Sequence, residues 1–239
     1  MKLRASRILA VVLAALTLLG SWLLYRGDFG SLRTEAQKVE AIRSYASADV
    51  TGSSLGAVLH PVLLHDEILG DRRILTFTDS EIDGLLGSIQ FRRGILGGWQ
   101  PLCAGYGAGP VIQTERIRDR DALVVFAANC PPEIAHYKVQ ANLNEPETLM
   151  AEGDVTAPSF IHVYETDRDF FPDIHLYDAD GSELDFWAYQ AQDDSVPSPG
   201  IGSAETNMVY VFCVLLLAFG WVTAKYFWTY VPSKSDQTD

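Results

Sequence analysis

The sequence predicts a membrane-anchored all-β or β-rich α+β protein, with two transmembrane helices flanking an extracytoplasmic, β-sandwich-like domain. Three observations predict it. Two long uncharged apolar runs lie towards the ends of the chain, short strand-like runs broken by turn residues fill the middle, and nearly all acidic residues lie between the helices.

The first apolar run, Ile8 to Leu24, and the second, Met208 to Ala224, are each 17 residues long without a charge, and aromatic residues extend both. A helix rising about 1.5 Å per residue crosses the hydrocarbon layer in roughly 17 to 25 residues, so both are long enough. A buried helix of a soluble core fits poorly, because neither run has a polar face and both carry interface residues at their flanks: Tyr25, then Tyr226, Phe227 and Trp228. A cleaved signal peptide is the alternative for the first run, since Lys2, Arg4 and Arg7 form a basic n-region. Against it, small residues do not occur together at the minus-three and minus-one positions after Leu18.

Charge sets the expected orientation. Lys2, Arg4 and Arg7 precede the first run, and Lys225 and Lys234 follow the core of the second, so both termini are expected in the cytoplasm. Between Arg26 and Asn207 lie 13 of the 18 Lys and Arg residues and 29 of the 31 Asp and Glu residues, a formal charge of about −16. Such a segment repels nucleic acid and anionic headgroups and tolerates cationic partners. The resulting organisation is a cytoplasmic N-terminus at 1–7, a transmembrane helix at 8–25, a juxtamembrane helix and connector at 26–60 and a β-rich domain at 61–190. A Pro/Gly/Ser linker at 191–207, a second transmembrane helix at 208–228 and a cytoplasmic tail at 229–239 complete it.

Within the connector, Ser31 to Ser47 is rich in helix formers and places Val39, Ile42 and Tyr45 at near-helical spacing. Strands are expected at 61–68, 73–78, 84–92, 102–106, 111–117, 122–127, 134–142, 160–165, 173–177 and 183–189. Turn signals separate them at Leu69-Gly70-Asp71, Gly97-Gly98, Asp119-Arg120-Asp121 and Asp178-Ala179-Asp180-Gly181. The clearest hairpin joins Ile174–Tyr177 to Glu183–Trp187.

Few motifs carry chemistry. Cys103 and Cys130 are the two cysteines of the middle segment and form a disulfide candidate that would stabilise it by about 3 to 4 kcal/mol if geometry allowed. Gly52-Ser53-Ser54-Leu55-Gly56 matches the serine-hydrolase elbow but lacks the preceding buried strand and following helix. Asp178, Asp180, Gly181 and Glu183 look like a fragment of a calcium loop without its full spacing, and read better as a hairpin turn. Glu165, Asp167, Asp169 and Asp173 would do acid and base work only if burial raised one of them. The five histidines have no zinc-binding spacing, and the glycines of Gly105-Tyr106-Gly107-Ala108-Gly109 carry no phosphate-binding Lys, so neither metal nor cofactor is expected.

The expected function is therefore non-catalytic: an acidic extracytoplasmic β-domain that binds a protein or envelope component, with Trp99 and Tyr106 as candidate contact residues. An envelope hydrolase using the 165–173 carboxylates, or a redox- or cation-sensing module, is the alternative. Small residues four apart, Ala10 with Ala14 and Gly220 with Ala224, favour close helix–helix contact in the membrane. No charged residue lies inside either apolar core, which argues against a transport route through this chain alone. The plan is similar to that of bacterial envelope proteins with a β-rich domain between two anchors, a likeness of architecture that assigns no residue a role.

Overall fold

The computed structural model describes residues 2–46, 60–141, 148–166, 170–189, 200–201 and 207–229. The chain divides into two compact units, one of Met1–Ser31, Gly94–Gln100 and Ser203–Asp239, the other of Leu32–Arg93 and Pro101–Gly202. Its helices are α1 (Lys2–Asp28), α2 (Glu35–Ala46) and α3 (Met208–Thr229). Its strands are β1 (Pro61–Leu69), β2 (Arg72–Asp79), β3 (Leu85–Arg93), β4 (Trp99–Ala108), β5 (Ile112–Ile117) and β6 (Ala122–Ala127), then β7 (His136–Ala141), β8 (Thr148–Asp154), β9 (Phe160–Glu165), β10 (Pro172–Tyr177), β11 (Glu183–Leu184) and β12 (Gly200–Ile201).

In the first unit α1 and α3 pair along one seam, and both are long and apolar enough to cross a membrane. Their 27 and 22 residues span about 40 and 33 Å, against roughly 30 Å of hydrocarbon. The contacts run in opposite order along the two helices, so the pair is antiparallel. Ser6 Oγ donates to the Phe227 carbonyl at 2.5 Å, Gly220 meets Thr17, Gly20 meets Leu216, and Cys213 Sγ donates to the Ser21 carbonyl at 3.5 Å. Ala10 and Gly220 are buried in this seam, and Ala14 and Ala224 are half-buried. A methyl group on Gly220 would run into the Thr17 side chain, so glycine is what lets the backbones approach there. At one end of the seam Tyr25 stacks on Phe29, 4.4 Å between centroids, over Val209 and Tyr210.

The second unit is antiparallel β throughout its described pairings. Its sheets have the orders β1-β2-β3-β4-β12, β5-β6-β9 and β11-β10-β7-β8. Strand β6, ALVVFA, is buried at every position. Its alternating side chains go to two different cores, as the period of two in a strand requires. Ala122, Val124 and Phe126 pack with Ile74, Leu86 and Ile117, whereas Leu123, Val125 and Ala127 pack with Ile112, Tyr137, Val139, Phe160 and Leu176. The three-stranded sheet therefore lies between the other two, and the expected sandwich becomes three layers with two cores. The outer face of the five-stranded sheet carries Leu75, Phe77, Ile89 and Phe91, all fully buried, and α2, whose Ile42 is also fully buried, lies against β1 of that sheet.

Helix α2 begins at a capping box in which the Gln37 N–H donates to Thr34 Oγ1 at 3.3 Å and Gln37 Oε1 accepts the Thr34 N–H at 3.3 Å. It is tied to the sheet by Asp66, which takes Arg73 bidentately at 2.6 and 2.5 Å and Lys38 at 2.6 Å. Burial pushes the Asp66 carboxyl up, but the hydrogen bonds and charges of Arg73 and Lys38 outweigh it and hold it below the usual carboxylate range. Crossed ion pairs join two turns, Arg72 to Asp119 and Arg120 to Asp71.

Several expectations need correction. Strands β8 and β12 were not expected, and β12 pairs with β4 from within the 191–207 segment read as a plain linker. The 183–189 strand shortens to β11 and gives way to a 3-10 turn, Phe186–Tyr189. The Cys103–Cys130 disulfide is not formed, and both thiols are free. Cys130 belongs to the core between the β5-β6-β9 and β11-β10-β7-β8 sheets, whereas Cys103 sits on β4 of the five-stranded sheet, so the layering sends the two thiols to different places.

Candidate functional site

The β-unit holds a crevice of about 280 Å³. Four segments build it: Asp83–Leu86 ahead of and into β3, Gly109–Val111 between β4 and β5, Ala128 to Pro131 after β6, and the end of the Phe186–Tyr189 turn. Backbone bonds hold these segments together. The Val111 N–H donates to the Tyr189 carbonyl and the Ala128 N–H to the Val111 carbonyl, both at 3.3 Å. Gly84, at φ 71°, and Asn129, at φ 52°, take the left-handed conformation that turns the chain at the crevice wall. The lining is mostly apolar, with Asp83, Asn129 and Tyr189 as its side-chain polar groups. One carboxylate without a histidine or thiol beside it suits orientation of a ligand better than proton transfer.

Beside the crevice wall stands Trp187, 69% exposed, whose backbone N–H donates to Asp185 Oδ1 at 3.0 Å. The preceding turn is acidic. Asp178 Oδ1 accepts the Asp180 and Ser182 N–H groups at 2.9 and 2.8 Å, and Gly181 closes the turn at φ 81°. These bonds make Asp178 a turn-closing residue. Glu183 Oε1 pairs with His175 Nδ1 at 2.7 Å.

Two polar clusters lie inside the layers. Gln90 Nε2 and Ser88 Oγ donate to the Glu115 carboxylate at 2.6 and 3.2 Å. Burial raises the Glu115 carboxyl above its ordinary range despite those bonds. Burial, and then Glu115, push the neighbouring Cys103 thiol up to about 11, and burial does the same to Cys130. On the other side of β6, the Tyr137 hydroxyl bonds His162 Nδ1 at 2.6 Å and the Tyr164 hydroxyl at 2.7 Å, and Tyr164 donates to the Glu152 carbonyl at 2.8 Å. Tyr137 stacks on Phe160, so the cluster is a satisfied polar node in an aromatic core.

The candidate contact residues do not form one surface. Tyr106 is 4% exposed and packs on Phe77, which makes it a core residue rather than a contact. Trp99 exchanges backbone hydrogen bonds with Gly30 at 2.8 and 3.0 Å in the helix-pair unit. Of the acidic cluster, Glu165 is exposed on β9 and Asp173 on β10, in different sheets, while Asp167 and Asp169 lie outside the described residues, as do Ser53 and Ser54. Among the described residues no group of His, Cys, Asp and Glu side chains is arranged to hold a metal ion. Sequence reading missed Asn129 and Tyr189. Trp187 stood at the end of the expected hairpin, and a tryptophan that closely follows Asp178, Asp180, Glu183 and Asp185 in the chain is the signal the sequence carries for it. Comparison with protein-family profiles, curated proteins and solved structures found no match.

Proposed function

We propose that the chain is a two-pass membrane protein that holds its acidic β-unit on the non-cytoplasmic side, where the unit binds a basic segment of a protein or envelope component without catalysis. The observation that carries this is the distribution of exposed large apolar side chains. They cover the outward faces of α1 and α3, from Ile8 to Leu24 and from Met208 to Trp228, as lipid contact demands. Two Arg–Trp pairs bracket them: Arg7 over Trp228 and Arg26 over Trp22. The 19 residue steps from Arg7 to Arg26 rise about 28 Å, close to the roughly 30 Å between membrane interfaces.

In the β-unit, exposed large apolar side chains are sparse; Trp187 is one of them, next in the chain to the crevice residues Ala188 and Tyr189, bonded through its N–H to Asp185 and preceded by an acidic segment with Asp178, Asp180 and Glu183. An aromatic face among carboxylates fits a Lys- or Arg-bearing ligand. The test is a photo-crosslinking residue placed at Ala188 in intact cells, with one at Ser182 as control. A discrete adduct from position 188 that disappears with Trp187→Ala is expected. No adduct at 188, or equal adducts at both positions indifferent to Trp187→Ala, would contradict binding at the crevice.

A further inference from the structure

We infer that the tip of the β3–β4 loop, Ile95-Leu96, inserts into the headgroup–acyl boundary of the bilayer as a third attachment point, resting on the two-pass reading above. The loop belongs to the compact unit formed by the two apolar helices. From Gly94 to Gln100 it reads GILGGWQ, without a charge. Ile95 is 80% exposed and Leu96 74%, more than any other large apolar residue of the described chain, including those on the outward faces of the helices.

Its position is fixed by hydrogen bonds to the end of α1. Tyr25 Oη accepts the Leu96 N–H at 3.0 Å and donates to the Gly97 carbonyl at 2.8 Å. Gln100 Nε2 donates to Asp28 Oδ2 at 2.7 Å, and the Gly30–Trp99 backbone pair closes the other side. Gly94 and Gly98 are seated on Phe29 so closely that a Cβ on either would strike it, and Gly97 and Gly98 take φ of 84° and 81°. Three glycines and a tyrosine thus hold two of the most apolar side chains outward, an arrangement unfavourable in water.

The level at which they are held names the occupant. Tyr25 is the immediate neighbour of Arg26, whose guanidinium lies over Trp22, the pair that marks one end of the apolar shell. A side chain tethered to Tyr25 is therefore at the depth where Tyr and Trp rings concentrate, and apolar residues there sink about 5 to 10 Å into the boundary layer. Lipid is the occupant rather than a protein groove, because the loop shares its unit with the helices and carries no polar side chain at its tip to specify a protein partner.

The test places an environment-sensitive fluorescent amino acid at 95, 16 or 182 of the full chain by stop-codon suppression, each reconstituted in phosphatidylcholine vesicles with or without spin-labelled lipid. Position 95 is expected to show blue-shifted emission quenched by lipid labelled near the headgroup and protected from iodide, while position 16 is quenched by lipid labelled deep in the chain and position 182 by iodide. If 16 is quenched by deep label but 95 is quenched by iodide alone, or by neither agent, lipid insertion of the tip is wrong and the two-pass reading stands. If 16 is not quenched by lipid label, the spanning reading itself fails, and the tip's insertion with it.

Discussion

Tyr25, in the last turn of α1, and Gly97, at the β3–β4 loop, are 72 residues apart and joined by a hydrogen bond of 2.8 Å from the tyrosine hydroxyl to the glycine carbonyl. The same hydroxyl accepts the Leu96 N–H, so one phenol holds both sides of the loop tip. Tyr25→Phe keeps the stack on Phe29 and removes both bonds, each worth about 1 kcal/mol. Hydrogen exchange should accelerate at the Leu96 amide and leave β6 unchanged; equal protection in both proteins would show that the hydroxyl does not anchor the loop.

Asp66 is the shared acceptor of Arg73 and Lys38, and only 20% of its side chain is exposed. Asp66→Asn withdraws the charge from both cations and should cost roughly 2 to 3 kcal/mol, below the 3 to 5 of a fully buried pair because solvent still reaches it. Because its folded pKa lies below the unfolded value, the Asp66 contribution is present above the unfolded carboxylate pKa and lost as pH falls through the folded one. Denaturant titrations of both proteins at neutral pH and at about pH 3 should show the gap closing in acid.

His65 and His162 titrate in the opposite chemical sense to the same thermodynamic effect. Burial lowers both imidazoles below their ordinary value. The unfolded chain then binds protons first, so stability is full above about pH 6.5 and falls as pH drops towards the lowered folded values. His162→Gln should flatten part of that acid slope in thermal melts, and an unchanged slope would remove His162 from the account.

Glu115 should behave in reverse. Its folded pKa is raised, so its contribution is favourable below the unfolded value and lost as pH rises through the folded one. Glu115→Gln keeps an oxygen for Gln90 and Ser88 without a charge to desolvate, and should match or exceed the parent in stability at neutral pH by up to about 1 kcal/mol. A clear loss in chemical denaturation would mean that the carboxylate is needed as a charge.

Cys103 and Cys130 are free, and burial holds both thiols largely protonated at neutral pH. Alkylation in denaturant should modify both without added reductant, whereas the folded protein should react slowly. A mass two units lower that shifts only on reduction would restore the disulfide.

The helices and most strands were legible in the sequence because their signals are local: an uncharged run for α1 and α3, and apolar runs between turn residues for β1 to β7. Strand β8 was not legible, because it is an edge strand reading TLMAEGD whose Gly153 makes room for the Tyr137 and Tyr164 hydroxyls. Its partner is the preceding strand, β7, but its one buried side chain is the small Ala151, so it shows little apolar alternation to read. The same limit governs Tyr106 and the cysteines: an aromatic in a glycine-rich stretch reads as a contact until Gly87 is seen opening space for it against Phe77. The crevice, made from four separate segments, leaves no linear trace.

The account stands on the chain crossing a bilayer twice with the β-unit outside. Single cysteines placed at Ala5, Ser182 and Ser235, each compared with the parent chain, are labelled with a membrane-impermeant maleimide in intact and in permeabilised cells. Added labelling in intact cells at Ser182 alone, with Ala5 and Ser235 reached only after permeabilisation, is the predicted result; labelling of the end positions from outside, or protection of Ser182, would contradict it.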